Sequence, residues 1–400
     1  MSQTAKDILI NRAITLFKEG QIEKCLKETL VAKKKFPDEP FVFNLLGVLY
    51  AHKKSYEDSI KSYSRAIKLN TNYFEAYNNM GIAYTAWKKN NKAIESFDKA
   101  IGINPSYAEA FNNKGNACKD KGDYQLAVEC YERAVDLNPM YIDAISNAGI
   151  VYDILDDFSK AETCYKKALA LSPNNTSVLY NLANCLFNFE DFSQSIEVCQ
   201  KIIDLDPSFY FAYNRMGLCF IQIANEERAK VFFKKAISVK PDYIEGLTNY
   251  GFVLQKQRNY SLAIIQFKKA LSIDPTNEEA LLNLSRSYFD DGRVLKSVEV
   301  AQKGLLSKQK SIPLLKNLIA SLLSLNRLGE ASKACKKILL LDNEDADAIN
   351  LMGTIFEKQG SYDRAKKQFL RALELDNGLI LAKMNIATLY QIEGNIEKDN

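Results

Sequence analysis

The sequence predicts an all-α fold, an α-solenoid of about eleven and a half helix-turn-helix units, and three observations carry that prediction. The octet INPSYAEA at Ile103–Ala110 returns as LNPMYIDA at Leu137–Ala144. Pro105, Pro139, Pro173, Pro207, Pro241 and Pro275 are spaced by 34 residues without a slip, and Pro37 lies two periods before Pro105. Between the prolines, apolar residues recur at i, i+3, i+4 and i+7, the spacing of one face of a helix. A fixed period of this length marks an array in which each unit packs on its neighbours, rather than a single core.

Framed from Lys6, eleven units of 34 residues fill 6–379 with no insertion. They are 6–39, 40–73, 74–107, 108–141, 142–175, 176–209, 210–243, 244–277, 278–311, 312–345 and 346–379, and 380–400 begins a twelfth. The whole chain, 1–400, is thus expected to be one array. Within a unit, positions 4, 7, 8 and 11 form the stripe of a first helix, A, as in Tyr77, Met80, Gly81 and Tyr84. A turn follows at positions 14–17, as in KGDY at Lys121–Tyr124. Positions 20, 24 and 27 form the stripe of a second helix, B, as in Ala93, Phe97 and Ala100. The proline at position 32 ends helix B, because it cannot continue the hydrogen-bond ladder and restricts the residue before it. Position 8 is glycine in seven units. A glycine inside a helix costs up to about 1 kcal/mol, so its recurrence predicts a close approach of helix B to helix A.

This pattern resembles the tetratricopeptide repeat: an aromatic, then L-G-x-x-Y, then A-x-x-x-F, an alanine and a proline. The likeness runs from residue 6 to about 393, although position 4 is Phe, Tyr, Ile or Leu rather than Trp and the single tryptophan, Trp87, lies elsewhere. The resemblance implies a right-handed superhelix whose concave groove is lined mainly by helix A.

Two places depart from the pattern. Units nine and ten carry Ser285 and Ile319 at position 8, Gly304 and Ile338 at position 27, and Gln309 at position 32. The segment LLSKQKSIPLL replaces the usual turn, with Ser311 a candidate N-cap and Pro313 tolerated in the first helical turn. A local change of superhelical pitch or a soft joint is expected there, not a domain boundary. In the twelfth unit, Ile386, Ala387 and Tyr390 call for a helix B, whereas the sequence offers only NIEKDN. Either that short polar end serves as a cap, or the array leads into something further downstream.

Composition excludes several function classes. The formal net charge is +4 on 53 basic and 49 acidic residues, with no strongly basic tract, so nucleic acid is not an expected partner. No apolar run approaches the roughly 18 residues of a membrane span. The start, MSQTAKDILINRAITLF, has charges where a secretory core should be, which predicts a cytoplasmic protein. Cys25, Cys118, Cys130, Cys164, Cys185, Cys199, Cys219 and Cys335 form no CxxC pair, and the single histidine, His52, has no partner visible in sequence. They read as buried thiols and a surface imidazole. No GxGxxG or GxxxxGK[ST] is present. The expectation is a protein with no enzyme activity, no metal and no cofactor; the sequence does not fix its oligomeric state.

Binding residues are expected on helix A. Position 6 reads Asn11, Asn79, Asn113, Asn147, Asn181, Asn249, Asn283, Asn317 and Asn385, with Leu45, Arg215 and Leu351 in the remaining units. An asparagine amide offers donor and acceptor together. Two readings stay open: the ladder holds the backbone of an extended peptide, or each amide bonds to the adjacent helix. Groove positions 2, 5, 9, 12 and 13 would add specificity. They are mostly polar in units three to five (Asn78 and Asn112 among them) and more apolar in units six to nine, with Tyr180, Phe187, Phe211 and Phe252. The candidate set is therefore Asn79, Asn113, Asn147, Asn181, Arg215, Asn249, Asn283, Asn317, Tyr180, Phe187, Phe211 and Phe252. Position 26 is Lys or Arg in ten consecutive units and reads as a solvated ridge on helix B.

The ladder resembles the repeat arm of O-linked N-acetylglucosamine transferases, in which groove asparagines hold substrate backbone. Two functions follow from these readings: a scaffold that binds an extended peptide or partner protein, or the substrate-recruiting arm of a larger or partner transferase, of that type or a sulfotransferase. The carboxylate clamp of chaperone-binding relatives is not expected, because its lysines are missing: Ser146, Ile150 and Phe211 break it.

Overall fold

The computed structural model describes residues 3–396, with side chains from residue 6 to residue 392. Contacts divide the chain into two compact units, Met1–Leu205 and Asp206–Asn400. The first holds α1 (Gln3–Lys18), α2 (Ile22–Lys35), α3 (Pro40–His52), α4 (Tyr56–Leu69), α5 (Phe74–Ala86), α6 (Asn90–Ile103), α7 (Ala108–Lys121), α8 (Tyr124–Leu137), α9 (Ile142–Ile154), α10 (Phe158–Leu171), α11 (Thr176–Asn188) and α12 (Phe192–Leu205). The second holds α13 (Tyr210–Gln222), α14 (Glu226–Val239), α15 (Ile244–Lys256), α16 (Tyr260–Ile273), α17 (Glu278–Asp290), α18 (Val294–Ser307), α19 (Ile312–Ser324), α20 (Leu328–Leu341), α21 (Ala346–Lys358), α22 (Tyr362–Leu375) and α23 (Ile380–Ile396). Odd-numbered helices are helix A and even-numbered ones helix B of successive repeats. The described residues contain no strand, and none of their helices is long and apolar enough to cross a membrane.

Each repeat is punctuated by the same two turns. After helix A, the residue at position 15 enters the left-handed region: Gly20, Gly122, Gly292 and Gly360, but also Lys54, Lys88, Asp156, Glu190, Ala224, Arg258 and Asn326. Its amide and the next one close the helix end, as when Lys54 N–H donates to Ala51 O at 2.8 Å and Ser55 N–H to Tyr50 O at 2.9 Å. That pairing is a Schellman closure, and it satisfies carbonyls the helix would otherwise leave open. After helix B, position 31 is Asn or Asp in seven repeats and accepts the amide two residues on, as Asn104 does from Ser106 at 3.1 Å and Asp274 from Thr276 at 2.9 Å. This side-chain turn and the following proline stop helix B and aim the next helix A.

The core lies between the helices of a repeat and the first helix of the next. Position 8 abuts position 24: a Cβ built on Gly81 would fall 2.5 Å from the ring of Phe97, and one on Gly115 2.6 Å from the ring of Tyr131. The expected close approach of helix B to helix A is thus a ring pressed against glycine. Where position 8 is larger, position 24 is smaller. The residues at positions 8 and 24 are Ala183 and Cys199, Ser285 and Ala301, and Ile319 and Cys335 in these repeats.

That exchange bears on the irregular repeats. Ile319 and Cys335 belong to a continuous cluster with Val298, Leu315, Ile338 and Ile355, all nearly inaccessible. Below it the hydroxyls of Ser285, Ser297 and Ser321 bond in series at 3.1 and 2.8 Å. Ser311 caps α19 by accepting the Leu314 amide at 3.3 Å, with Pro313 in the first turn. In the twelfth repeat α23 runs to Ile396, residues 397–400 of the closing hexapeptide lie outside the described residues, and Tyr390 is 54% exposed beneath the Lys366 ammonium.

Candidate peptide-binding face

Apart from the exposed Asn11, the asparagines of position 6 lie half-buried on helix A, and most are bonded to the preceding repeat. Nδ2 of Asn79, Asn113 and Asn147 donates to Oδ1 of Asn44, Asn78 and Asn112 at 3.1, 3.0 and 3.0 Å. Asn181 donates to Ser146 Oγ at 3.4 Å, Asn249 to Asn214 at 3.0 Å and Asn385 to Asn350 at 3.0 Å. Asn317 reaches the Leu282 carbonyl instead, at 3.1 Å. Asn283 breaks the series, because Thr248, at the acceptor position, turns its hydroxyl back onto the Ile244 and Glu245 carbonyls of its own helix. The adjacent-helix bond is therefore made. It uses one N–H of each amide, and an asparagine has a second N–H and a two-lone-pair oxygen besides.

The acceptors at position 5 are not groove residues. Asn78, Asn112 and Asn214 are 4%, 5% and 2% exposed, which corrects the expectation that Asn78 and Asn112 line the groove. Asn78 donates onward to the Tyr107 hydroxyl at 3.5 Å, so a relay of Asn113, Asn78 and Tyr107 spans the repeat junction. Burial, with the nearby Glu109 and Glu75 charges, pushes the Tyr107 hydroxyl up to about 12, so it stays protonated throughout the physiological range. In α13, Asn214 donates to Glu245 at 3.0 Å and Tyr243 to the same carboxylate at 2.9 Å. In α19 the junction is ionic: Lys316 meets Asp345 and Asp347 at 3.0 and 2.8 Å.

The apolar candidates have separate settings. Phe211 is 36% exposed and packs among rings, 4.2 Å from Tyr210 and 5.6 Å from Tyr243 between centroids. Phe252, equally exposed, lies beneath the Lys256 ammonium at 5.3 Å. Phe187 meets Phe192 edge-on at 5.4 Å, at the turn into α12. Tyr180 and Arg215 are half-buried on α11 and α13.

Three features escaped the sequence reading. Positions 3 and 10 form a second buried stripe, seen in Ala76 and Ala83 or Ala110 and Ala117; small residues concealed it from a search for large apolar ones. The position-5 acceptors were signalled by the Asn-Asn pairs at 78–79 and 112–113. The junction tyrosines Tyr73, Tyr107, Tyr141 and Tyr243 recur at position 34, inside the very octet whose repetition reveals the period.

The basic ridge has a local role. Lys201 donates to the Pro173 carbonyl at 2.9 Å and Arg371 to the Asn343 carbonyl at 3.2 Å, bracing the turn one repeat back. Arg65 lies 5.7 Å above the Phe43 ring and 3.2 Å from Asp38. All eight thiols are buried or half-buried and unbridged.

A stack of helical hairpins with a polar helix-A face defines a class, the helical-repeat interaction scaffolds. Tetratricopeptide-repeat models match residues 74–107 and 108–141, in the frame set by the prolines, and also 154–216, 254–322, 212–243 and 346–378, with a TPR-repeat model over 47–87. The chain belongs to the tetratricopeptide repeat family. Among solved structures it is similar to the C-terminal part of a TPR repeat-containing protein from Cytophaga hutchinsonii, at 20% identity and TM-score 0.48 over 60% of this chain and 98% of that one. A tetratricopeptide repeat protein from Parabacteroides merdae aligns at 17% identity and TM-score 0.49, over 63% and 99%. YrrB, described as a TPR protein with an unusual peptide-binding site, aligns at 24% and 0.37, over 47% and 97%. No curated protein matches the sequence.

Proposed function

We propose that this chain is a non-enzymatic scaffold whose helix-A face binds an extended peptide, or an extended segment of a partner protein, through the backbone. The observation that supports the reading most is the ladder of oriented amides. Each bonded asparagine is held by one N–H, at 3.0 Å for Asn113, Asn147 and Asn249, so its carbonyl and second N–H are fixed in direction before a ligand arrives. Donors and acceptors ordered in advance spare the entropy of ordering them on binding. Each hydrogen bond nets only about 0.5–1.5 kcal/mol, so affinity requires several repeats in register. Neighbouring helices lie roughly 10 Å apart and an extended chain rises about 3.3 Å per residue. One amide per repeat thus meets about every third peptide unit. Phe211 and Phe252 would choose among side chains, as pockets do where backbone bonds give the affinity.

The test is titration calorimetry of a peptide panel against Asn113→Ala/Asn147→Ala/Asn181→Ala and against Phe252→Ala. The triple variant should weaken every ligand by a similar factor, and Phe252→Ala should weaken some and spare others. Unchanged affinities in the triple variant, with melts showing it folded, would sink the reading.

A further inference from the structure

The outer side of repeats nine and ten differs from every other repeat. A groove of about 340 Å³ runs between α18 and α20. Its floor is Leu315, Leu318 and Leu322 of α19, and one wall is Leu305 and Leu306. The grooves at the same register in two other repeats are charged too, with Lys33, Asp58 and Lys61 in one and Glu132, Asp136 and Lys167 in another, but neither is lined by a leucine. Position 29, on the rim, is Lys, Asp, Glu, Ser, Ala or Gly elsewhere, but Leu306 and Leu340 here. Those two leucines are 78% and 86% exposed, the most exposed large apolar side chains described. Isolated exposed leucines are ordinary, but a pair at successive register positions beside an apolar groove marks a contact surface.

Charge identifies the partner. Residues 294–341 carry nine basic side chains against only Glu299 and Glu330. Arg327 is paired with Glu330, and Lys316 with Asp345 and Asp347 on the opposite side. Glu330, Lys333 and Lys337 all line the groove; Glu330 is held by Arg327, and neither lysine makes an ion pair among the described residues. We propose that this groove is a second docking site, distinct from the helix-A face, for an acidic amphipathic segment of a partner protein. Apolar side chains of the segment enter over Leu315, Leu318 and Leu322, and its carboxylates meet Lys333 and Lys337. An anionic membrane would match the charge, but the leucine floor is recessed between two helices, where a side chain reaches and a flat bilayer does not.

The probe is a fluorescein-labelled synthetic helix of about 15 residues, with leucines at i, i+3, i+4 and i+7 and glutamates elsewhere, followed by anisotropy with the full chain. Wild type should bind it, more weakly as salt rises. Lys333→Glu/Lys337→Glu and Leu306→Glu should each weaken it at least tenfold; all three residues are exposed, so the fold should persist. A peptide with lysine in place of glutamate should ignore wild type and bind the charge-reversed double variant. Asn113→Ala/Asn147→Ala/Asn181→Ala should bind the acidic probe as wild type does. Failure of the acidic probe to bind, equal binding of the lysine peptide to wild type, or loss of binding in the asparagine variant would each overturn the proposal. So would a chain that ignores the probe yet sediments with phosphatidylserine vesicles in a Leu306-dependent way.

Discussion

The ring of Phe267 occupies the space a side chain at position 251 would need: a Cβ on Gly251 would fall 2.6 Å from the ring edge. Gly217 and Phe233 repeat the relationship at 2.5 Å, and both rings are almost wholly buried. Gly251→Ala should therefore destabilise by about 1–3 kcal/mol through overpacking, although alanine is the better helix former by about 1 kcal/mol. Phe267→Ala should cost about 3–5 kcal/mol. The double variant should cost clearly less than the two together, because the added methyl enters the vacated space. Urea denaturation of the four proteins measures the coupling, and strict additivity would contradict the contact.

A second consequence concerns the turn after helix A. Ala224 has φ of 56° with no side-chain bond to justify it. Such a conformation costs an L-residue about 1–2 kcal/mol, and other repeats use glycine at the same position. Ala224→Gly should raise the urea midpoint by the equivalent of about 1 kcal/mol. A lower midpoint would show that the turn is not strained.

The ionic junction in α19 should show in the pH dependence of stability. Burial lowers the pKa of Lys316, but its hydrogen bonds to Asp347 and Asp345 outweigh that and leave it above its ordinary 10.5. A cation whose folded pKa is raised contributes fully below its unfolded value and loses the contribution as pH climbs through the folded one. Lys316→Met should be less stable than wild type at neutral pH, and on the alkaline side the deficit should narrow only above pH 10.5. A deficit that narrows between pH 6 and 9 would point to some other group.

The packing around Ile319 and Cys335 speaks to backbone motion. With that cluster filled, amides near Gly304–Pro313 should be as protected from hydrogen exchange as the equivalent turns of repeats eight and eleven. Faster exchange confined to this turn would restore the soft joint that its unusual sequence suggests.

The period, the helix pairs and the family were legible because a proline every 34 residues and a 3.6-residue stripe act locally. The glycines at position 8 disclosed a close approach, and only coordinates showed that the partner is the ring at position 24. The face itself was half legible. Asn113 and Asn147 stood out by repetition, whereas Asn78 and Asn112 differ from them by one place in sequence and are buried. A helix turns 100° per residue, so neighbouring asparagines fall on different faces, and which face meets the next repeat depends on how repeats stack. The exposed leucines at 306 and 340 were equally visible, but a reading focused on helix A passes over helix B.

The central claim is that the ladder grips backbone. The most direct measurement is an N-methyl scan of a peptide selected from a random library for binding to the full chain. Methylating one peptide nitrogen at a time removes one donor and leaves every side chain in place. With one asparagine per repeat, affinity should fall several-fold at about every third position and little between, and the pattern should vanish in Asn113→Ala/Asn147→Ala/Asn181→Ala. A scan indifferent to N-methylation, in a peptide whose side-chain substitutions abolish binding, would show that the face reads side chains and that the asparagines only join one repeat to the next.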